Sequence, residues 1–387
     1  MSEIHPVIKT FSNAKEKIEE YLNIIEKLQN SAVSKFHDLI SRSDRSEMAF
    51  NKLFEGIKSC QDVTSPLLDS ITSFLKENNS SEPFVQMLSD YKGYIAIYFQ
   101  YIKDFHNLSD KLLDERLKNK KVDEIFCSFE ENVNMPIECV LFSPVQHIKT
   151  YGHFIDNLEN KVPPSTEDQI YLKEASSYAK GEIARMSIMF KAVSEVEEML
   201  QNNIEGFDVY KFGRRLLFKG EATKYSRKTK DERLLLIFSD GLMIGKSNKF
   251  SKFIPFAQYE IEDVSDSGTF VNAVNIYTMK KSFCASFLTK TAKTRLINGF
   301  TEAKTFRHNI WPDTNNVEYA PVWIPDELVP NCMLCDVKFT FVNRRHHCRK
   351  CGKCICTKCC RKIPFPNASS KPQLVCDKCY ETMKTKD

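Results

Sequence analysis

The sequence predicts a multidomain chain: an all-α helical bundle, then a small β-barrel capped by a C-terminal helix, then a small two-zinc finger. Three observations predict it. Residues 1 to about 206 carry apolar positions at helical spacing with little β-branched alternation. Around Tyr210 the texture changes to short apolar runs bounded by turn residues. Four Cys-x-x-Cys pairs then crowd the end of the chain: Cys332/Cys335, Cys348/Cys351, Cys356/Cys359 and Cys376/Cys379. A length of 387 residues accommodates two to four domains, each able to bury its own core except the cysteine-rich tail.

In the first segment Ile18, Leu22, Ile25 and Leu28, and later Tyr94, Tyr98, Tyr101 and Phe105, recur at helical spacing. The tyrosine stripe reads as core packing. The run Lys161-Val162-Pro163-Pro164-Ser165 separates two long helices, and Thr166 with Gln169 forms a capping box for the second. In the middle segment Leu216 to Ala222 and Arg233 to Phe238 read as strands, and Ser239-Asp240-Gly241 as a turn. Further strands are expected near 253–256 and 273–278, with a closing helix from about Lys290 to Phe306. Between the first two strands, Lys224-Tyr225-Ser226-Arg227-Lys228-Thr229-Lys230 is a basic hairpin tip, either a solvated turn or an anion site. A linker with Trp311 to Asn316 leads into the tail. The expected domains are 1–206, 207–310 and 320–385, with 311–319 as linker.

Ten of the fourteen cysteines fall between Cys332 and Cys379; Cys60, Cys127, Cys139 and Cys284 are scattered and read as small buried hydrophobes. No basic-then-apolar leader opens the chain, and no run of about eighteen apolar residues occurs, so a cytoplasmic chain is expected, peripheral wherever it meets a membrane. The net charge of +4 is unevenly placed. From Trp323 onward 13 Lys/Arg face 6 Asp/Glu, a net of +7, which leaves 42 against 45, about −3, for the rest. An anionic partner is therefore expected at the tail.

Eight thiolates in Cys-x-x-Cys pairs supply two tetrahedral zinc ions, because a dipeptide spacer lets both sulfurs of a pair reach one ion. Closed four-sulfur sites leave no position for a catalytic water. Arg344, Arg345, His346, His347 and Arg349, threaded through the second pair, repel one another unless a counter-anion is bound. A RING-type ubiquitin ligase fits poorly, since such sites place a histidine among their ligands. A nucleic-acid module matches the charge alone, but the basic run lies beside Phe341 and Val342, which suits a bilayer better, so no nucleic-acid partner is expected.

This tail resembles the FYVE domain in its Trp323-Ile324-Pro325-Asp326 opening, its Arg344-Arg345-His346-His347-Cys348-Arg349-Lys350-Cys351-Gly352 core and its eight cysteines. The resemblance implies interleaved metals, with Cys332, Cys335, Cys356 and Cys359 on one zinc and Cys348, Cys351, Cys376 and Cys379 on the other. It implies phosphatidylinositol 3-phosphate as ligand, with Arg344, Arg345, His347 and Arg349 on phosphates and His346 and Asp326 on inositol hydroxyls. It further implies that Phe339, Phe341 and Val342 enter the bilayer. One departure is Leu374-Val375-Cys376 where the family usually has Arg-Val-Cys. Loss of one charge-assisted contact costs about 1.5–3 kcal/mol, so weaker or relaxed head-group recognition is expected.

The stretch Leu141-Phe142-Ser143-Pro144-Val145-Gln146-His147-Ile148-Lys149-Thr150-Tyr151 resembles the Pro-Val-Gln-Arg-Ile motif of Dbl-homology (Rho guanine-nucleotide exchange) domains. Gly213-Arg214-Arg215-Leu216-Leu217 resembles the opening of the pleckstrin-homology domain that follows them. Dbl-homology, pleckstrin-homology and FYVE in that order is the architecture of the faciogenital-dysplasia family, whose members act on Cdc42 or Rac-like GTPases. The implied activity is nucleotide exchange on a Rho-family GTPase at phosphoinositide-bearing endosomal or plasma membranes. Control of actin during endocytic uptake goes with it, with cytoskeletal association and actin-cytoskeleton proteins as further partners. Exchange works by preferential binding of the nucleotide-free GTPase, so it needs no nucleophile or general base, and no covalent chemistry is expected.

The implied GTPase contacts are Glu16, Gln146, His147 and Lys149. Several positions depart from the family: Ala14-Lys15-Glu16-Lys17 replaces the usual Thr-Glu pair, His147 the usual arginine, Thr150 a basic residue, and Ser187-Ile188-Met189 the usual His-Ile-Asn stretch. Leu296 stands where the closing helix of the barrel usually has tryptophan. These departures sustain a second reading, a phosphoinositide-binding adaptor whose bundle is a protein-binding platform.

Overall fold

The computed structural model describes residues 6–40, 46–77, 90–162, 167–306, 317–365 and 369–384. The Pro163–Ser165 break, Thr166 of the capping box and the Trp311–Asn316 stretch lie outside the described residues. The chain divides into two compact units, Met1–Asn202 with Asp208–Arg215, and Asn203–Phe207 with Leu216–Asp387.

The first unit is all helical: α1 (Pro6–Lys27), a π-helical turn (Leu28–Val33), α2 (Ser34–Ile40), α3 (Ser46–Glu77), α4 (Tyr91–Lys118), α5 (Lys120–Val133), α6 (Ile137–Glu159), α7 (Glu167–Met189) and α8 (Lys191–Gln201). Helix α6 is central, packing against α1, α4, α7 and α8. Every residue from Ile137 to Lys149 is buried, so the first half of α6 has no solvent face. The tyrosine stripe of α4 is core, as its spacing predicts. The Tyr98 hydroxyl is hydrogen-bonded to Thr64 Oγ1 at 2.7 Å, and Tyr101 donates to the Leu141 carbonyl at 2.6 Å, so these rings are buried with their polar tips satisfied. Arg116 of α4 grips Glu130 of α5 through two bonds of 2.6 and 2.9 Å, and Glu130 accepts the Ile137 N–H at 2.8 Å, which fixes the start of α6.

The second unit holds a seven-stranded antiparallel sheet: β1 (Leu216–Tyr225), β2 (Lys230–Phe238), β3 (Gly241–Lys246), β4 (Lys249–Pro255), β5 (Tyr259–Asp263), β6 (Ala273–Thr278) and β7 (Phe283–Ser286). Their order is β4-β3-β2-β1-β7-β6-β5. Helix α9 (Lys290–Thr305) covers this sheet, with Leu296 and Phe300 in the core. The leucine in place of tryptophan is therefore still a core anchor. Gly299 allows the close approach of α9 to β1: a Cβ there would lie 2.9 Å from the Leu217 carbonyl oxygen.

The tail adds β8 (His346–His347), β9 (Cys354–Ile355), β10 (Cys360–Phe365), β11 (Ser369–Cys376) and α10 (Asp377–Lys384). It belongs to the same compact unit as the sheet, where the sequence suggested a separate module. Backbone bonds explain this: Ala320 N–H donates to Thr278 at 2.9 Å, and Asp326 N–H to Arg227 at 2.9 Å.

Around the expected boundary at 206/207 the two units exchange short segments. Residues 208–215 belong to the helical unit, where Gln146 accepts the Gly213 N–H at 2.9 Å and donates to the Lys211 and Arg214 carbonyls. Gly213 supplies the left-handed turn, φ 69°. Residues 203–207 belong to the sheet unit instead: Phe250 N–H donates to Glu205, and the Phe207 ring stacks on Phe250 with centroids 5.2 Å apart. Among the described residues no helix is long and apolar enough to cross a membrane.

Candidate functional site

Each of the first two Cys-x-x-Cys pairs lies in a tight turn that ends on a left-handed residue, Asp336 at φ 58° and Gly352 at φ 78°. In the first, Asp336 N–H returns to the Cys332 carbonyl; in the second, Gly352 N–H returns to Cys348, both at 2.9 Å. Gly352 is required twice over, because a Cβ there would fall 2.4 Å from the Val322 carbonyl oxygen. The turns gather Cys332, Cys335, Cys356 and Cys359 into one group and Cys348, Cys351, Cys376 and Cys379 into another, each with all sulfurs within 4.8 Å of one another. This is the interleaved pairing that the family resemblance implies.

The donors fit zinc. Cys335 and Cys356 sulfurs lie 3.7 Å apart, and Cys351 and Cys376 sulfurs 3.8 Å, close to the ~3.8 Å edge of a tetrahedron with Zn–S bonds of about 2.3 Å. Backbone N–H groups point at the sulfurs, Cys356 N–H to Cys332 at 3.3 Å and Cys376 N–H to Cys348 at 3.2 Å. Burial pushes the Cys332 thiol up, yet the N–H groups of Leu334, Cys335 and Cys356 outweigh it and hold its pKa down at about 7. The tail thus carries two four-cysteine zinc sites.

The basic run divides on inspection. Arg344 is exposed, its Nε 3.4 Å from the Phe341 carbonyl. Arg345 donates to the Val329 carbonyl at 3.3 Å and lies over the Phe339 ring. His346 shares a hydrogen bond with Thr357 Oγ1 at 3.2 Å. Arg349 is exposed above the Trp323 ring, and its N–H donates to the Leu374 carbonyl at 2.8 Å. The uncharged Leu374 is therefore bonded directly to the backbone of this arginine.

His347 differs. It is buried, stacked on Trp323 with centroids 4.8 Å apart, and its Nε2 donates to the Ile324 carbonyl at 3.1 Å. Expected on a phosphate, it instead pins the opening segment to the finger, and burial lowers its pKa. Asp326 takes Arg227 of the β1–β2 hairpin at 3.4 Å, and Lys230 reaches Glu327 at 3.2 Å. The hairpin tip is thus neither simply solvated nor free: two of its cations are committed to the finger.

The apolar loop divides too. Phe341 and Val342 are 98% and 94% exposed, whereas Phe339 is 7% exposed. Phe339 was expected to enter the bilayer with them; it instead packs with Val329, Ile355 and the ligand cysteines, because Phe339 N–H bonds to Pro330 and turns its ring inward.

In the helical unit, three of the four expected GTPase contacts are interior. Gln146 is 0% exposed and holds the 211–214 backbone, as described above. His147 is buried against Tyr21, at 4.5 Å between stacked rings, and is hydrogen-bonded to the Tyr94 hydroxyl. Lys149 is buried with its ammonium 3.1 Å from Glu197 and 3.4 Å from Ser187. Their place on the wholly buried half of α6 is the reason. Glu16 is exposed on α1. A groove of about 180 Å³ runs between α1 and the second half of α6, floored by Ala14 and Ile18 and rimmed by Asn13, Lys17, Thr150, His153 and Asn157; Glu16 is not among its lining residues. Sequence reasoning named Lys17 and Thr150 only within departures from the motif and passed over Asn13, His153 and Asn157, although Thr150, His153 and Asn157 share one helical face by spacing.

Comparison with known proteins agrees with this geometry. The FYVE zinc finger family matches residues 322–385, and the RhoGEF domain family matches residues 15–186. Pleckstrin homology domain-containing family F member 2 of Mus musculus is 38% identical over 183 residues, 45% of this chain and 74% of that protein. FYVE, RhoGEF and PH domain-containing protein 6 of Homo sapiens is 22% identical over 420 residues, 100% of this chain but 29% of that protein.

The chain is a RhoGEF-domain and FYVE-finger protein. Its helical unit is the RhoGEF domain, the sheet with α9 is the PH-like barrel, and the tail is the FYVE finger with its two four-cysteine zinc sites. Among solved structures, the DH/PH domain of human ARHGEF11 in a ternary complex with human RhoA and its inhibitor aligns over 77% of this chain and 93% of that chain, at 11% identity and a TM-score of 0.41. A structure of the Vav1 exchange factor aligns over 97% of both chains, at 15% identity and a TM-score of 0.41.

Proposed function

We propose that this chain is a guanine nucleotide exchange factor for a Rac- or Cdc42-like GTPase, delivered by its finger to membranes bearing phosphatidylinositol 3-phosphate, and that it regulates actin during endocytic uptake. The observation that carries the reading is the α1/α6 groove, with Glu16 exposed on the same helix as its Asn13 and Lys17 rim. An apolar floor with amide, hydroxyl and basic rims can grip a switch segment. Glu16, three residues beyond Asn13 on the same helix, offers a carboxylate to a switch lysine or arginine. Preference for the nucleotide-free state then lowers nucleotide affinity by linkage, with no bond made or broken.

At the membrane end, Arg344, Arg345 and Arg349 supply charge for head-group phosphate, and Phe341 with Val342 supply apolar anchorage. On this reading the chain acts at the cytoplasmic face of endosomal or plasma membranes, near actin-cytoskeleton proteins. The test is fluorescent-nucleotide release from Rac, Cdc42 and Rho by the full chain. Accelerated release from Rac or Cdc42, reduced about tenfold or more by Glu16→Ala, is expected. An unchanged release rate for every GTPase would overturn the reading.

One observation favours a second reading, a phosphoinositide-binding adaptor. Gln146, His147 and Lys149 are committed to the interior, so the groove has fewer polar contacts to offer than the motif suggested. GTPase capture without nucleotide release in the same assay would support it.

A further inference from the structure

The finger gathers a third group of donors that neither four-cysteine site uses. A ring nitrogen of His347, a carboxylate oxygen of Asp326 and the Cys354 sulfur lie within 4.8 Å of one another, the same separation that collects the sulfurs of each zinc group. Their meeting follows from the local fold. His347 and Cys354 are direct cross-strand partners in the β8–β9 ladder, and opposed residues of an antiparallel pair face the same side. Asp326 is brought to them by the opening segment, at the start of the single turn Asp326–Leu328. Two atoms of this group have no partner. The His347 side chain is 1% exposed; its Nε2 donates to the Ile324 carbonyl at 3.1 Å, which leaves Nδ1 as the lone-pair nitrogen, buried and without a hydrogen bond. Asp326 Oδ1 is likewise buried and unbonded, while Oδ2 lies 3.4 Å from Arg227. Both bare atoms are acceptors, so neither can satisfy the other. Buried acceptors without a donor are rare in folded proteins, and one cation would serve both.

We propose that Asp326, His347 and Cys354 form a third divalent-cation site in the finger, one that takes a zinc-class ion through one oxygen, one nitrogen and one sulfur. A thiolate and an imidazole among three ligands suit zinc or cobalt and disfavour magnesium and calcium, which take oxygen. The surroundings are those of metal ligands. A ligating imidazole commonly donates its other N–H to a backbone carbonyl, and a ligating carboxylate is itself held; Ile324 and Arg227 supply these partners. A bound ion ties the opening segment to the β8–β9 ladder, beside the Trp323–His347 stack. With three protein ligands in place of four, and the Arg227 cation next to Asp326, it is held less tightly than the ions of the four-cysteine sites. Dialysis therefore leaves two ions per chain. The site stands apart from the phosphoinositide reading, and its failure would leave that reading untouched.

The test adds cobalt(II) chloride to the full chain already carrying two zinc ions. One further equivalent is expected to bind, with a sulfur-to-cobalt charge-transfer band and no zinc released into solution. Cys354→Val keeps an apolar side chain in the core and is expected to abolish that band and the third equivalent while both zinc ions remain. Asp326→Asn leaves the core untouched and is expected to weaken the third equivalent by about tenfold or more, again with both zinc ions retained. Absence of a third equivalent would overturn the site. So would a charge-transfer band that persists in Cys354→Val, or cobalt uptake matched by release of zinc, which would place the cobalt in a four-cysteine site.

Discussion

His147 shows how strongly one side chain can tie the helical unit to pH. Its imidazole is 4% exposed, stacked on Tyr21 of α1, and bonded to the Tyr94 hydroxyl of α4, with the Tyr98 ring 5.4 Å away. Burial drives its pKa down to about 3, and the surrounding phenols are themselves pushed well above their ordinary value by burial, so none offers a counter-charge. In the unfolded chain the imidazole takes its proton near pH 6.5. The unfolded state therefore binds more protons between pH 6.5 and about 3, and stability is complete above that window and drains away as pH falls through it. Denaturant melts of the wild type are expected to lose on the order of 3 kcal/mol from this source between about pH 6.5 and 4. His147→Phe preserves the stack, and its stability-versus-pH profile is expected to be flatter by that amount. Identical profiles would show that another group is responsible. The residue also marks a limit of sequence reading. Gln146, His147 and Lys149 are polar types that usually face water, and nothing in their spacing tells that Gly213, Tyr94 and Glu197 wait for them in the fold.

At the scale of the element, the loop from Phe339 to Asn343 sorts its apolar residues by turn geometry. Thr340 N–H donates to the Asn343 carbonyl at 3.0 Å, Asn343 N–H to Thr340 Oγ1 at 3.0 Å, and the Asn343 amide to Lys338 at 3.0 Å. These bonds fix a four-residue turn with Phe341 and Val342 at its corners, pointing away from the finger. Phe339, one residue before the turn, faces the core. Full burial of a side chain such as valine or phenylalanine contributes about 1.5–3 kcal/mol, so losing both corner residues removes on the order of 3–6 kcal/mol of membrane anchorage. Phe341→Ser with Val342→Ser is expected to abolish cosedimentation with phosphatidylinositol 3-phosphate vesicles while two zinc ions per chain are retained. Phe339→Ser is expected to act differently, lowering zinc content and finger stability. Retention of the double variant on vesicles at wild-type affinity would sink the assignment. In the sequence the three residues are alike in type and proximity. Their separation into core and tip comes from a register that only the turn bonds set. The cysteine pairs were legible for the opposite reason: ligand spacing is itself the structural constraint, and the sulfurs must meet wherever the metal sits.

Across the whole molecule, the three cores differ in what holds them. The sheet core is built from Phe218, Leu235, Ile276, Leu296, Phe300 and their neighbours, with no metal-ligand cysteine among them. The helical unit is equally apolar, with its tyrosines satisfied inside. The finger buries Val329, Phe339, Ile355 and Val375 among Cys332, Cys348, Cys354, Cys356 and Cys376, so sulfur makes up about half of its core. A domain this small, with so little hydrocarbon to bury, depends on its metals for stability. Helical periodicity and strand runs made the first two cores readable in the sequence. The merging of sheet and finger was not, because the backbone bonds at Thr278, Ala320, Arg227 and Asp326 carry no side-chain signature, and nothing in the spacing of Arg227 and Lys230 points to Asp326 and Glu327, far along the chain, as their partners. A chelator that strips both ions is therefore expected to unfold the finger and leave two cores standing. Amide exchange should show the β8 to α10 region losing protection, Ala320 and Asp326 losing it with them, and strands β1 to β7 and helices α1 to α8 keeping theirs. Persistent protection of the Cys348 and Cys376 amides after removal of both zinc ions would mean that packing alone sustains the finger.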